Sequence, residues 1–171
     1  MKNKSNTTAL WAWGLVLVVL GSIIGMAIAS SSAPVAGPVE NAELTVSEPS
    51  WDFGNVPMSK GIAVKSISLA NDSSVPIAVT SLETSCMCTT AQIVHPDGSK
   101  SGLKGMIGHG GGSSSLSETI PAGETAVLLV NFDPNAHGPA ATGPITRTVT
   151  MRTNSQSQPE IRLTFSGNVI K

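Results

Sequence analysis

Short runs of β-type residues, separated by turn residues, follow one another along the chain from residue 43 onward. The last run alternates cleanly: Ile161, Leu163 and Phe165 fall on one side, and polar residues fall on the other. A period of two is that of a strand with one buried face. Comparable runs occupy residues 44–46 and 51–54, 62–69, 77–82, 89–94, 125–132 and 145–152. The pattern predicts an all-β protein, an antiparallel β-sandwich of about seven strands.

One long segment interrupts this succession of strands and turns. Residues 95–118 are dominated by Gly and Ser, and one of the histidines in this segment, His109, stands among glycines. A connection of this length is too long for an ordinary hairpin loop, and such loops in small domains are usually functional or disordered. We therefore expect a long loop here.

The N-terminus predicts an exported, membrane-anchored protein. Lys2 and Lys4 precede an uncharged apolar run, residues 9–29. A run of about 20 apolar residues matches one bilayer crossing. Positive charge on its N-terminal side leaves that side in the cytoplasm. We expect a transmembrane signal anchor, with the rest of the chain outside the cytoplasm.

This interpretation divides the chain into a cytoplasmic N-terminus (1–8), the anchor (9–29), a Pro-rich linker (30–42) and the sandwich (43–171). The alternative is a cleaved signal peptide, because residues 27–29 read Ala-Ile-Ala, which fits a cleavage site. Cleavage would make the domain a secreted one.

Composition narrows the class of function. Charged residues make up 12% of the chain and the formal net charge is −1. A nucleic-acid binder would show a basic patch, so no nucleic-acid partner is expected.

The two cysteines of the chain, Cys86 and Cys88, are separated by a single residue. A loop closed over one residue removes almost no chain entropy, so this pair is no structural staple. In an extended strand the two side chains share a face, and a disulfide between them would require a bent backbone and would be labile. In the reduced state the two sulfurs form a soft bidentate site.

Several motifs resemble a known family. They read W-D-F-G-N-V at 51–56, S-C-M-C-T at 85–89, I-P-A-G-E at 120–124 and V-N-F-D-P at 130–134. Their order is similar to that of the bacterial "domain of unknown function 1573" family, over residues 43–171. The resemblance implies an immunoglobulin-like sandwich akin to Hydin-type and major-sperm-protein domains. It implies no activity.

The soft and imidazole donors of the chain suggest a metal site. Thiolate, thioether and imidazole together suit copper, and zinc less well. The hypothesis is a copper site made by Cys86 and Cys88 and completed by His109, His137 or Met106. His95, next to a proline, is a weaker candidate and fits a surface loop better.

Three functions remain open. The first is a non-enzymatic interaction or scaffold module with an unknown extracytoplasmic protein partner and a possible copper site. The second is a copper-binding or copper-delivery protein. The third is a thiol–disulfide redox protein that uses Cys86 and Cys88, and it is the one enzymatic alternative. The cysteines could also be buried structural residues of a family turn.

Overall fold

Nine β-strands form two sheets in the computed structural model, which describes residues 37–109 and 112–171. A single 3-10 turn, Met58–Lys60, follows the second strand in this part of the chain. The strands are β1 (Leu44–Val46), β2 (Ser50–Pro57), β3 (Ala63–Asn71), β4 (Ile77–Thr84), β5 (Thr89–Val94), β6 (Ser115–Ile120), β7 (Thr125–Phe132), β8 (Gly143–Thr153) and β9 (Glu160–Ile170).

The strand order is that of an immunoglobulin-like sandwich. One sheet has the order β1-β3-β7-β5, and the other has β2-β9-β8-β4-β6. These orders reproduce the A-B-E-D and C-F-G sheets of that architecture, with β2 and β6 added at the edges of the second sheet. The predicted all-β sandwich is confirmed, with about nine strands instead of seven. It is also not purely antiparallel, because β2 pairs parallel to β9.

The strand β6 lies partly inside the segment that the sequence predicts to be a loop. It pairs antiparallel with β4, so that Ile120 lies opposite Ile77. As an edge strand it needs few apolar residues: Ile120 is buried and Leu116 packs against the core. Two apolar positions among Ser, Glu and Thr are too weak a signal to separate from the Gly- and Ser-rich residues before them.

An aromatic cluster joins the two sheets in the core. Phe132 of β7 and Phe165 of β9 have ring centroids 5.6 Å apart, and Trp51 of β2 stacks on Phe165 at 5.2 Å. Phe53 contacts both Phe132 and Phe165. Because strands of both sheets contribute rings, this contact fixes how the sheets pack.

The chain ahead of β1 also contacts the sandwich. Val39 forms a parallel bridge with Ser155, and Ala42 is fully buried. Residues 37–42 of the predicted linker are thus bound to the domain. The predicted cytoplasmic segment 1–8, the predicted anchor 9–29 and residues 30–36 lie outside the described residues. Within the described ranges, no helix has the length and apolar character that crossing a membrane requires.

A buried asparagine ties the end of β3 to the turn between β6 and β7. Asn71 is fully buried, and its amide nitrogen lies within 3.1 Å of three carbonyl oxygens, those of Val75, Ile120 and Pro121. Its amide oxygen accepts a hydrogen bond from the backbone N–H of Ser73 at 3.1 Å. One side chain therefore satisfies polar backbone groups of two separate turns.

We expect Asn71→Ala to lower the free energy of unfolding by about 2–4 kcal/mol, because it leaves buried carbonyls without donors. Urea denaturation followed by tryptophan fluorescence measures this. The control is Asn55→Ala, which removes one exposed side-chain hydrogen bond, to Asn168. It should cost less than about 0.5 kcal/mol. Equal losses for the two variants would contradict the interpretation.

Candidate metal centre

The Cys-x-Cys element forms the connection by which the chain passes from one sheet to the other. Four residues, 85–88, lie between Thr84 at the end of β4 and Thr89 at the start of β5. They form a tight turn, closed by a hydrogen bond of 3.1 Å from the Thr89 N–H to the Cys86 carbonyl. The cysteines therefore lie in a bent backbone and not in an extended strand. Both are free thiols.

The buried hydroxyl group of Thr84 stabilises the turn. The Thr84 Oγ1 lies 3.0 Å from the Cys86 carbonyl oxygen and 2.9 Å from the Thr89 carbonyl oxygen. These two carbonyls belong to the two ends of the turn. The single hydroxyl proton lies between these two carbonyls and links the two ends of the turn.

Neighbouring strands hold the turn from the sides. The Ser85 N–H donates to the Thr148 carbonyl of β8 at 2.9 Å, and the Thr148 N–H donates to the Ser85 Oγ at 2.9 Å. On the other side the Asp133 N–H, just past β7, donates to the Cys88 carbonyl at 2.8 Å. The ends of β4, β5 and β7 and the middle of β8 therefore set the positions of both cysteines.

His137 joins the cysteines because its loop begins at Asp133. The Cys86 Sγ and the His137 Nε2 are 3.1 Å apart. The ligand atoms of Cys86, Cys88 and His137 all lie within 4.8 Å of one another. Cys86 is 9% exposed and Cys88 is 3% exposed, whereas His137 is exposed. The site therefore has a buried sulfur side and a solvent-facing imidazole.

The other sequence-predicted ligands, His95, Met106 and His109, belong to the long segment after β5. His109 is exposed, and its backbone N–H donates to the Met106 carbonyl at 3.3 Å. Among the described residues, His109 is not part of the group of donors that converges on the cysteines. Met106 is partly buried, and its role as a ligand stays a prediction. His95 is outside the group as well, since its Nε2 pairs with the Glu118 Oε2 at 2.8 Å.

Arg147 is the residue of this site that the sequence analysis missed. Its Nε donates to the Cys88 Sγ at 3.2 Å. Along β8 it occupies the same face as Val149 and Met151, which are fully buried. An arginine at a core-facing position of a strand needs a buried partner, and that signal is visible in the alternation of residues 145–151.

The environment distinguishes the two thiols. Burial of Cys86 favours its neutral form, but hydrogen bonds from Cys88 and His137 and the charge of Arg147 outweigh it and lower the pKa of Cys86 to about 7. Burial is the main cause that raises the pKa of Cys88, and the neighbouring Cys86 is the second. Cys86 is thus the sulfur that loses its proton first.

A cavity of about 250 Å³ opens beside the cluster. His137 and Arg147 form part of its wall, and the remainder is mostly apolar, with Phe132, Ile145 and Val169 among its lining residues. The site can therefore be approached from this side.

Neither a protein-family model nor a curated protein matches this chain. The crystal structure of a protein of unknown function from Porphyromonas gingivalis W83 is similar over 81% of the chain, with a TM-score of 0.54 and 14% identity. This chain spans half (50%) of that protein's length.

Two more distant structures have TM-scores below 0.5. The ASH/PapD-like domain 7 of human CEP192 is 14% identical, with a TM-score of 0.46, over 83% of this chain and 96% of that one. WR4, a C. elegans MSP family member, is 8% identical, with a TM-score of 0.39, over 76% of this chain and 100% of that one. At such identities a likeness concerns the fold alone. The resemblance to the "domain of unknown function 1573" family stays a prediction.

We expect Cys86 to be alkylated before Cys88 in the folded, metal-free protein, with a rate that rises with pH around a midpoint of about 7. The sign follows from its lowered pKa: the reactive thiolate forms at a lower pH than in an ordinary cysteine. Iodoacetamide labelling with peptide mass spectrometry measures both rates. His137→Ala should shift the midpoint upward and His109→Ala should not. Faster labelling of Cys88 would contradict this assignment.

Proposed function

We propose that this chain binds one Cu(I) ion through the Sγ atoms of Cys86 and Cys88 and the Nε2 of His137. The observation that supports this proposal is the convergence of the three ligand atoms within 4.8 Å of one another. Three donors from two separate loops meet there, at one end of the sandwich.

The donor set favours a soft ion. Thiolates select Cu(I), zinc and iron–sulfur clusters, and imidazole suits copper and zinc. A structural zinc site has four protein ligands. In the described part of the chain, three His, Cys or carboxylate donors converge at this point. Two sulfurs and one nitrogen match copper better than a closed zinc site.

The site is also prepared for binding. A metal ligand must be deprotonated, so metal binding releases protons. The pKa of Cys86 at about 7 reduces that cost near neutral pH. The turn is already fixed by Thr84, Thr148 and Asp133. Little conformational entropy is then lost when the ion binds.

The proposed compartment agrees with a metal-binding role. We propose that residues 9–29 anchor the domain outside the cytoplasm, where exported proteins usually carry their cysteines as disulfides. Two neighbouring thiols in such a compartment are open to oxidation. A bound soft metal ion protects them, since it occupies the sulfur lone pairs that an oxidant would attack.

The other two functions differ in what they require. Thiol–disulfide exchange needs the two cysteines, and in that function the imidazole beside Cys86 would lower the pKa of the attacking thiol instead of serving as a ligand. An interaction or scaffold module needs neither the cysteines nor the imidazole. A two-sheet sandwich supports that class only at the level of the fold. The proposed metal site is compatible with a scaffold role, and partner binding in that role should survive replacement of both cysteines.

The test is a Cu(I) titration of the full-length chain, purified in detergent under reducing, oxygen-free conditions, against a chromogenic Cu(I) chelator. We expect about one Cu(I) per chain and none in the Cys86→Ser, Cys88→Ser double variant. His137→Ala should weaken binding about tenfold or more, as expected for loss of one ligand. His109→Ala is the matched control and should leave the affinity unchanged.

Uptake no greater than that of the double variant would rule out the metal site. A reversible dithiol–disulfide couple without uptake would favour the redox function instead. If His109→Ala rather than His137→Ala weakened binding, the third ligand would be misassigned.

A further inference from the structure

We propose that Arg147 makes the Cys86–Cys88–His137 site selective for a monovalent over a divalent metal ion. This inference rests on the proposed function, because it concerns the same three ligands. It adds a residue that determines specificity without touching the ion.

Two hydrogen bonds fix the position of the Arg147 charge. Its Nε donates to the Cys88 Sγ at 3.2 Å, and its Nη1 donates to the Thr146 carbonyl at 2.8 Å. The backbone of β8 on which it sits is paired with β9 through Phe165. The guanidinium is therefore a permanent positive charge one hydrogen bond away from a metal ligand.

With both cysteines deprotonated, as metal binding requires, the charges of the site without the ion add up to −1. Two thiolates contribute −2, a neutral imidazole contributes nothing and Arg147 contributes +1. A monovalent ion brings this total to zero, and a divalent ion brings it to +1. Since Cys86 and Cys88 are 9% and 3% exposed, an uncompensated charge here is costly.

One acidic group, Asp133, lines the same cavity as Arg147, and its Oδ1 accepts a hydrogen bond from the Asn135 N–H at 2.8 Å. Its charge is the same in the wild-type chain and in every Arg147 variant, so a comparison between them isolates the effect of the guanidinium. Asp133 is not part of the group of converging ligand atoms. Arg147 is the charged residue whose side chain is hydrogen-bonded to a ligand sulfur.

A ratio of affinities isolates the proposed role. Removing Arg147 also removes the hydrogen bond to the Cys88 sulfur, which stabilises the thiolate that both metals use. That loss is common to Cu(I) and Zn²⁺ and cancels in the ratio of their dissociation constants. What remains is the repulsion of one additional unit charge by the guanidinium, which should change the ratio by about tenfold or more.

The experiment measures Cu(I) and Zn²⁺ dissociation constants of the full-length chain in detergent, each by competition with a chromogenic chelator. Arg147→Gln should move the ratio toward zinc by about tenfold or more. Arg147→Lys keeps the charge and should keep the preference for Cu(I). Arg152→Gln is the matched control: it lies on the same strand, is exposed and pairs with Glu160, and it should change nothing. Thermal unfolding of each variant verifies that the fold is intact.

The outcomes separate this inference from the proposed function. If the wild-type chain binds Cu(I) but Arg147→Gln leaves the ratio unchanged, the role of Arg147 is overturned and the metal site stands. If Arg147→Lys loses the preference as fully as Arg147→Gln, the hydrogen bond rather than the charge is responsible, and the inference is overturned as well. If the wild-type chain takes up no Cu(I), both proposals fail.

Discussion

The connection between β4 and β5 must cross from one sheet to the other in four residues. Packed sheets are separated by roughly 10 Å. A crossing of only four residues therefore leaves the backbone little conformational freedom. Each end of the crossing is held by a strand, and the Thr84 hydroxyl binds the carbonyls of both ends. Cys86 and Cys88 therefore occupy positions that the fold dictates, and the site depends on the two sheets being packed correctly.

The same crossing gathers the other components of the site. The bond from the Asp133 N–H to the Cys88 carbonyl ties the end of β7 to the turn and so places the loop that carries His137. The bonds between Ser85 and Thr148 tie the turn to β8, which carries Arg147. An ion bound here would contact loops anchored in both sheets. It would bind the folded state in preference to the unfolded one and thereby stabilise the domain.

Much of the fold follows from the sequence, because strands such as β9 alternate cleanly between a buried and an exposed face. The strand β6 does not, since Leu116 and Ile120 are its apolar residues and it lies at a sheet edge. For the site, the sequence names the cysteines and His137 among its candidates, but it cannot rank His137 above His109. That ranking depends on which loop the Asp133–Cys88 bond brings to the turn, and this contact spans 45 residues of sequence. The core-facing position of Arg147 could have been found from the alternation along β8, in which it shares a face with Val149 and Met151.

The asymmetry of exposure at the site constrains how a metal ion could enter and leave. Cys88 is buried beneath the turn, Cys86 is nearly buried, and His137 is exposed beside an open cavity. An incoming ion would meet the imidazole first and the sulfurs afterwards. A donor or acceptor molecule would then approach on the side formed by His137 and Arg147, where the cavity opens beside the proposed site.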